Sequence, residues 1–168
     1  MKDDYQIRPT KTADIPRLVD IYHSWENNPF INIEQEPSDY FSMCINKGDL
    51  PPLEGASKDN YQLYSIFFQD QLIGYFDCYH GYPRKDYLWI SIFVIDQTLS
   101  GYGHGSEVVK MIESMFLSES YPTLALGVKT KNTLGLKFWT KVGFREILGV
   151  YGEEEIVIAL KKTVYVKG

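Results

Sequence analysis

A chain of 168 residues, 44% hydrophobic and 23% charged, has a globular balance with room for one hydrophobic core. Seventeen basic against twenty-two acidic side chains leave a net charge of −5 and an isoelectric point near 5.2. That balance argues against broad binding to nucleic acid or to an anionic membrane, both of which need a basic face.

At this size folding hides about 70% of the unfolded surface, so no disulfide or metal staple is required, and residues 1–168 read as one domain. Cys44 and Cys78 are the only cysteines, and Met1 to Asp4 is polar and acidic rather than the start of an export signal. Both cysteines are therefore expected as reduced thiols in a cytoplasmic protein. The best apolar run, Tyr87 to Ile95, has nine residues, against the roughly 18 of a membrane span. Two cysteines and three histidines (His23, His80, His104) without close ligand spacing point to no metal site.

In chain order, Tyr5 to Arg8 reads as a short strand, and Thr12 or Asp14 caps a helix carrying Ile15, Leu18, Val19 and Tyr22 at helical spacing. Asn27 to Asn60 is irregular, with Pro29, Pro37, Pro51, Pro52 and Gly55, but its aromatic content predicts an ordered excursion with a short helix over Pro37 to Asn46. Tyr61 to Gln69 and Gln71 to Tyr79 form a hairpin about Asp70. After a turn at Gly81 to Asp86, Tyr87 to Ile95 is predicted as one strand, central because it is apolar on both faces. On such a strand Trp89, Ser91 and Phe93 share one face and Ile90 and Ile92 the other.

A glycine-alternating loop, Gly101, Gly103 and Gly105, opens a helix with Val108, Ile112, Met115 and Phe116 as its core stripe. Thr123 to Val128 is a strand. Lys131 to Val142 is a helix with Leu134, Phe138 and Val142 on one side, ended by Gly143. Phe144 to Val150 and Glu155 to Leu160 close the chain as strands around Gly152. Hairpins outnumber crossovers, so the fold class is α/β in the α+β sense: a central mixed β-sheet flanked by helices. Edge strands near the C terminus could pair two subunits as a homodimer.

The strand running into that glycine loop makes an anion site, because the free N–H groups and the dipole of a helix start suit a phosphate. A P-loop needs Lys-Ser/Thr after its last glycine, and here Gly105 is followed by Ser106 and Glu107. The dinucleotide fingerprint needs a glycine where Ser106 stands. A third template fits. Ser100-Gly-Tyr-Gly-His-Gly105 resembles the Gln/Arg-x-x-Gly-x-Gly/Ala signature of the GNAT superfamily of acyl-CoA N-acyltransferases. Asn132-Thr-Leu-Gly-Leu-Lys-Phe-Trp-Thr-Lys-Val-Gly-Phe144 resembles its second motif, and Ile7 to Leu18 its opening strand and helix. The order of elements agrees from residue 5 to about 160.

The resemblance implies acetyl-CoA as co-substrate and a primary amine, on a small molecule or a peptide, as acceptor. By position, backbone groups of Phe93, Val94 and Ile95 would pair with the pantetheine arm, and an N–H there would polarise the thioester carbonyl. Amides of Gly101, Tyr102, Gly103, His104, Gly105 and Ser106 would hold the pyrophosphate, and Asn132 would hydrogen-bond the pantetheine. Trp139 would pack beside the thioester, with Lys137 and Lys141 near the outer phosphates. Two positions depart from the pattern. Ser100 stands where a long Gln or Arg is usual, and Trp139 stands where many members carry the tyrosine that protonates the leaving thiolate.

An ammonium acceptor must also lose a proton. The residues offer Ser91, through water, and Glu26, at the end of the first helix, as the groups nearest that task. Tyr22, Trp25, Phe30, Tyr40 and Phe41 fall where family members build the acceptor pocket, and His80 and Tyr79 are further candidates for lining it. The acidic net charge favours cationic acceptors. A binding or regulatory module on the same fold, holding acyl-CoA with little chemistry, is the alternative that Trp139 supports. A nucleotide-binding protein is a third, remoter reading.

Overall fold

The computed structural model describes residues 2–164. Strand β1 (Tyr5–Pro9) passes through a short 3-10 turn at Thr12–Asp14 into helix α1 (Ile15–His23), which buries Ile15, Leu18 and Ile21. Asp14 stands at the helix start, but its carboxylate does not cap the helix. It accepts the Lys11 N–H at 2.8 Å and both prongs of Arg8 at 2.7 and 2.9 Å. Helix α2 is Pro37–Asn46, as its proline-first sequence predicts, and it buries Phe41 and Cys44.

Strands β2 (Tyr61–Phe68) and β3 (Gln71–His80) form the expected antiparallel hairpin. Gln69 and Asp70 both take positive φ, 49° and 64°, the conformation that a two-residue turn between twisted strands requires.

The run from Tyr87 to Ile95 is not one strand. It divides into β4 (Tyr87–Ile90) and β5 (Phe93–Ile95). Pairing with β3 slips by one residue between them: Tyr79 faces Trp89 on β4, whereas Phe76 faces Phe93 on β5. The extra residue is a bulge, and it inverts the facing of everything after it. Leu88, Ile90, Phe93 and Ile95 pack on one side of the sheet, and Trp89, Ile92 and Val94 on the other. The simple alternation that put Phe93 with Trp89 is thereby corrected.

The remaining elements are α3 (His104–Phe116), β6 (Thr123–Lys129), α4 (Thr133–Lys141), β7 (Glu146–Tyr151) and β8 (Val157–Thr163). The sheet runs β1-β2-β3-β4-β6-β8-β7, with β5 attached to β3 alone. Among the described residues β4 with β6 is the parallel pairing and the others are antiparallel. One face carries the core of α1 and α2, centred on Leu18, Phe41 and Tyr75. The other carries that of α3 and α4, centred on Val108, Ile112 and Trp139.

Two stripe residues fall outside the core. Met115 is 48% exposed, because in the last turn of α3 its neighbours Phe116 and Leu117 take the core contacts. Leu134 is 68% exposed, because it sits in the first turn of α4 at the rim of the cleft described next. No helix among the described residues is long and apolar enough to cross a membrane.

Candidate active site

The split of β4 from β5 makes the site. β4 runs beside β6 from Tyr87↔Thr123 to Ile90↔Leu126, but β5 pairs only with β3, so β5 and β6 part. The wedge between them is a cleft of about 490 Å³.

What holds the bulge open is Asp77 on β3, a residue the sequence reading passed over. It is 1% exposed. Its Oδ1 accepts the backbone N–H groups of Ser91 at 2.8 Å and Ile92 at 3.1 Å, the two amides that the bulge turns out of the ladder. Its Oδ2 accepts the Tyr61 hydroxyl at 3.0 Å and the hydroxyl of Ser91. Burial pushes the Asp77 carboxyl up to about 6, although the Ser91, Ile92 and Tyr61 donors pull the other way. Ser91 is exposed and lines the cleft.

Along β5 the backbone alternates. Ile92 C=O accepts from Asp77 N–H at 3.2 Å and Asp96 N–H donates to Ile73 C=O at 2.8 Å, both toward β3. Phe93 and Ile95 therefore turn their backbone groups to the cleft, and Val94 turns its own to β3. A pantetheine arm can thus pair with Phe93 and Ile95 but not with the Val94 backbone, which corrects one of the three assignments there. The Ile95 carbonyl is already engaged, accepting the indole N–H of Trp25 at 2.7 Å. The Phe93 N–H and C=O and the Ile95 N–H are left facing the cleft.

The glycine loop is anchored where the chain enters it. Asp96 is held by Arg17 at 2.7 Å and accepts from Thr98 N–H at 3.0 Å, and the Ser100 hydroxyl donates to Gln97 C=O at 2.7 Å. Burial raises the Asp96 carboxyl, but the Arg17 and Thr98 hydrogen bonds outweigh it and hold the pKa below the usual value. Gly101 and Gly103 take φ of +87° and +85°, which places Gly103 as the left-handed residue before α3. Glu107 N–H to Gly103 C=O, at 3.2 Å, begins the hydrogen bonding of α3. The N–H groups of His104, Gly105 and Ser106 precede it and have no helical partner.

Ser100, Gly101, Gly103, His104, Gly105 and Ser106 all line the cleft. Tyr102 does not: its side chain is 77% exposed at the loop tip. His104 is no solvent group, since its Nδ1 hydrogen-bonds the Tyr5 hydroxyl at 2.6 Å and its ring packs edge-on against Phe68.

On the α4 side, Asn132 Oδ1 accepts Gly135 N–H at 2.9 Å and so caps the helix, which leaves its side-chain N–H₂ for a ligand. Trp139 is 9% exposed and wedged edge-on among Phe93, Phe138 and Phe144. Lys141 lines the cleft and Lys137 does not.

The opposite wall comes from the irregular segment: Trp25, Phe30 and Tyr40 line it, while Phe41 is sealed in the core and Tyr22 accepts the Ile33 N–H at 3.1 Å. Glu26 is displaced from the cleft. α1 ends at His23, the chain turns tightly, and Trp25 points inward while the Glu26 side chain, 72% exposed, lies 3.7 Å from His23. Tyr79 and His80 also lie elsewhere, Tyr79 accepting Ser57 N–H and His80 packed on Tyr121. Among the described residues no Asp or Glu side chain lines the cleft, and Lys141 is its one Lys or Arg. The negative net charge is thus not carried by side chains that line the cleft. Among the described residues no three His, Cys, Asp or Glu side chains gather as a metal site.

A strand edge with free polar groups, a helix start with free N–H groups and an asparagine donor therefore surround one cleft. That is what a ligand with an amide-bearing arm and a pyrophosphate needs. Solved structures share this architecture. An acetyltransferase from Thermus thermophilus superposes with a TM-score of 0.72 at 18% identity, over 95% of this chain and 97% of that one. The acetyl transferase from Salmonella typhimurium that modifies the N-terminal serine of 50S ribosomal subunit protein L7/L12 gives 0.73 at 11% identity, over 96% of each chain. A ribosomal L7/L12 alpha-N-protein acetyltransferase in complex with coenzyme A gives 0.65 at 11%, over 96% and 94%. At such identities the likeness is one of fold. No curated protein matches the chain in sequence. The model of the acetyltransferase (GNAT) family matches residues 18–144, and the chain belongs to that family.

Proposed function

We propose that this chain is an acetyl-CoA-dependent N-acetyltransferase that acylates a primary amine by direct attack on the thioester. The observation that carries the reading is the free edge of β5 facing the unpartnered N–H groups of α3 across one cleft. Phe93 and Ile95 would pair with the pantetheine arm, the amides of His104 to Ser106 would hold the pyrophosphate, and Asn132 would donate to the arm. As the amine nitrogen bonds the acetyl carbon and the C–S bond breaks, a β5 N–H would stabilise the oxyanion. Trp139 can donate a hydrogen bond to the thiolate but cannot protonate it, so the sulfur would take its proton from another source.

The acceptor wall of Trp25, Phe30 and Tyr40, without a carboxylate, supports an amine on an apolar or aromatic body, or a peptide N terminus, over a polycation. A cytoplasmic location goes with this reading, since Cys44 and Cys78 are free buried thiols.

Thermal unfolding with acetyl-CoA, CoA, ATP and NAD tests the donor. At about 100 times Kd a ligand adds about 2.7 kcal/mol, which is a shift of about 5–10 °C at this length. Stabilisation by acetyl-CoA and CoA alone is expected, followed by CoA release with phenethylamine or an alanine- or serine-started peptide, and little with spermidine. Stabilisation without CoA release from any amine would favour the binding-module reading, for which Trp139 speaks. No stabilisation at millimolar acetyl-CoA would overturn both.

A further inference from the structure

Among the described residues three aspartates are buried, and two of them have a cation: Asp14 is paired with Arg8 and Asp96 with Arg17. Asp77 has none among the described residues. Its neighbours are Tyr61 from β2, Ser91 and Ile92 from the β4–β5 junction, Cys44 and Tyr40 from α2, and Cys78 on its own strand. Those groups are neutral at pH 7. Beyond them Asp49, hydrogen-bonded to Tyr40 at 2.6 Å, adds only a second negative charge.

Holding the bulge does not require that charge. Oδ1 alone takes both displaced backbone N–H groups, which the oxygen of an asparagine would do as well. Oδ2 has different work. It holds two hydroxyls, and one of them, on Ser91, opens into the cleft two residues before the strand edge of Phe93. While Asp77 is ionised, Ser91 Oγ must spend its proton on Oδ2, so its lone pairs face the cleft as acceptors.

On the acetyltransferase reading given above, we propose that Ser91 Oγ takes the proton of the attacking amine while passing its own proton to Asp77. Before the N–C bond forms, the bound ammonium gives a proton to Ser91 Oγ while the Ser91 hydroxyl proton moves to Asp77 Oδ2, and the neutral amine so formed attacks the thioester. Asp77 afterwards returns that proton through the same hydroxyl to water in the cleft. The second proton, left on nitrogen when the N–C bond forms, passes through water to the departing thiolate, so of the two protons the ammonium loses one ends in solvent and one on sulfur. Ser91 is then the catalytic residue and Asp77 the positioning residue behind it. The raised pKa of Asp77 suits the task, because a base that titrates near 6 is ionised at neutral pH without being feeble.

The test compares two acceptors in Ser91→Ala and Asp77→Asn: phenethylamine, an ammonium at pH 7, and hydroxylamine, which is already neutral there. With phenethylamine kcat/KM should fall about 10²-fold or more, and the acid limb near pH 6 should be replaced in Asp77→Asn by a rate that keeps rising toward the amine's own pKa of about 10. With hydroxylamine both variants should stay within about threefold of wild type, well short of the loss of a general base. Equal loss with both amines means that the pair only supports the bulge, and overturns the proposal. Ser91→Ala keeps both backbone bonds to Oδ1, so it decides the matter if Asp77→Asn does not fold. Thermal stabilisation by acetyl-CoA is the separate check: a wild-type protein that fails it sinks the acetyltransferase reading itself. If wild type binds acetyl-CoA but releases CoA to neither amine, infrared difference spectra of wild type against Asp77→Asn decide. A carboxylate band growing in between pH 5 and 7 supports the proposal, and its absence overturns it.

Discussion

Gly103→Ala probes the glycine loop without removing any side chain. Gly103 sits at φ +85°, and a methyl group added there meets nothing within 4 Å, so the variant suffers backbone strain and no clash. An L-residue in the left-handed region costs about 1–2 kcal/mol. With about 2.1 cal/mol/K of unfolding entropy per residue, a chain of 168 residues melts about 3 °C lower for each kcal/mol. Gly55→Ala is the matched control, because Gly55 has φ +79°, equally open space and no place in the cleft. Both variants should therefore melt about 3–6 °C below wild type. They should differ in ligand affinity. Relief of strain at Gly103 swings the adjoining amides away from the anion, and a hydrogen bond to a charged group is worth about 1.5–3 kcal/mol. Isothermal calorimetry should show acetyl-CoA bound about 10- to 100-fold more weakly by Gly103→Ala and unchanged by Gly55→Ala. S-acetylpantetheine, which has no pyrophosphate, should bind both variants and wild type alike. Equal melting losses with wild-type acetyl-CoA affinity in Gly103→Ala would refute the assignment of the loop as the phosphate cradle.

Trp139→Tyr restores a phenol at the thioester, and where thiolate departure limits turnover it should raise kcat for CoA release, toward about 10²-fold at pH 7; an unchanged kcat at full acetyl-CoA affinity would place the limiting step elsewhere. Arg8→Met breaks the two-pronged contact with buried Asp14 and should cost about 2 kcal/mol at pH 7 by urea unfolding. Burial raises the Asp14 carboxyl, but the Arg8, Lys11 and Ser65 hydrogen bonds outweigh it and hold the pKa below its ordinary value. A lowered carboxylate pKa stabilises above the unfolded value and loses that contribution as pH falls through the folded one. The difference between Arg8→Met and wild type should therefore be full at pH 6–7 and shrink below about pH 4. Cys44 and Cys78 should resist iodoacetamide in the folded protein and react once it is unfolded in urea, since burial raises both thiols, Cys44 to about 11.

The elements whose signals are local were legible in the sequence. Pro37 starts α2, and the polar pair at Gln69–Asp70 turns the hairpin. The glycine loop and Asn132 could be placed by their motifs. The division of β4 from β5 could not, because a bulge is a slip of register against another strand and leaves no mark on a run that is apolar on both faces. Ser91 was its one polar trace. Asp77 had a signal that could have been weighed, a lone carboxylate in the strand sequence Tyr75-Phe76-Asp77-Cys78. Glu26 was misplaced because helical spacing was carried past the end of α1, where a tight turn sends its side chain out beside His23 while Trp25 stays in the cleft. The Trp25 bond to Ile95 spans seventy positions of chain, and no local pattern announces such a contact.

The parallel contact of β4 with β6 has a dynamic consequence. β1 to β5 form one antiparallel half of the sheet and β6, β8 and β7 another, and within the sheet they are zipped together by four residue pairs, from Tyr87↔Thr123 to Ile90↔Leu126. The zip stops where the cleft begins. A ligand laid along β5 prolongs that seam as a clasp between the two halves, and so opposes the breathing motion that would part them. The amides along the β4–β6 seam should accordingly exchange with solvent more slowly in the complex than in the free protein, even where they touch no atom of the ligand.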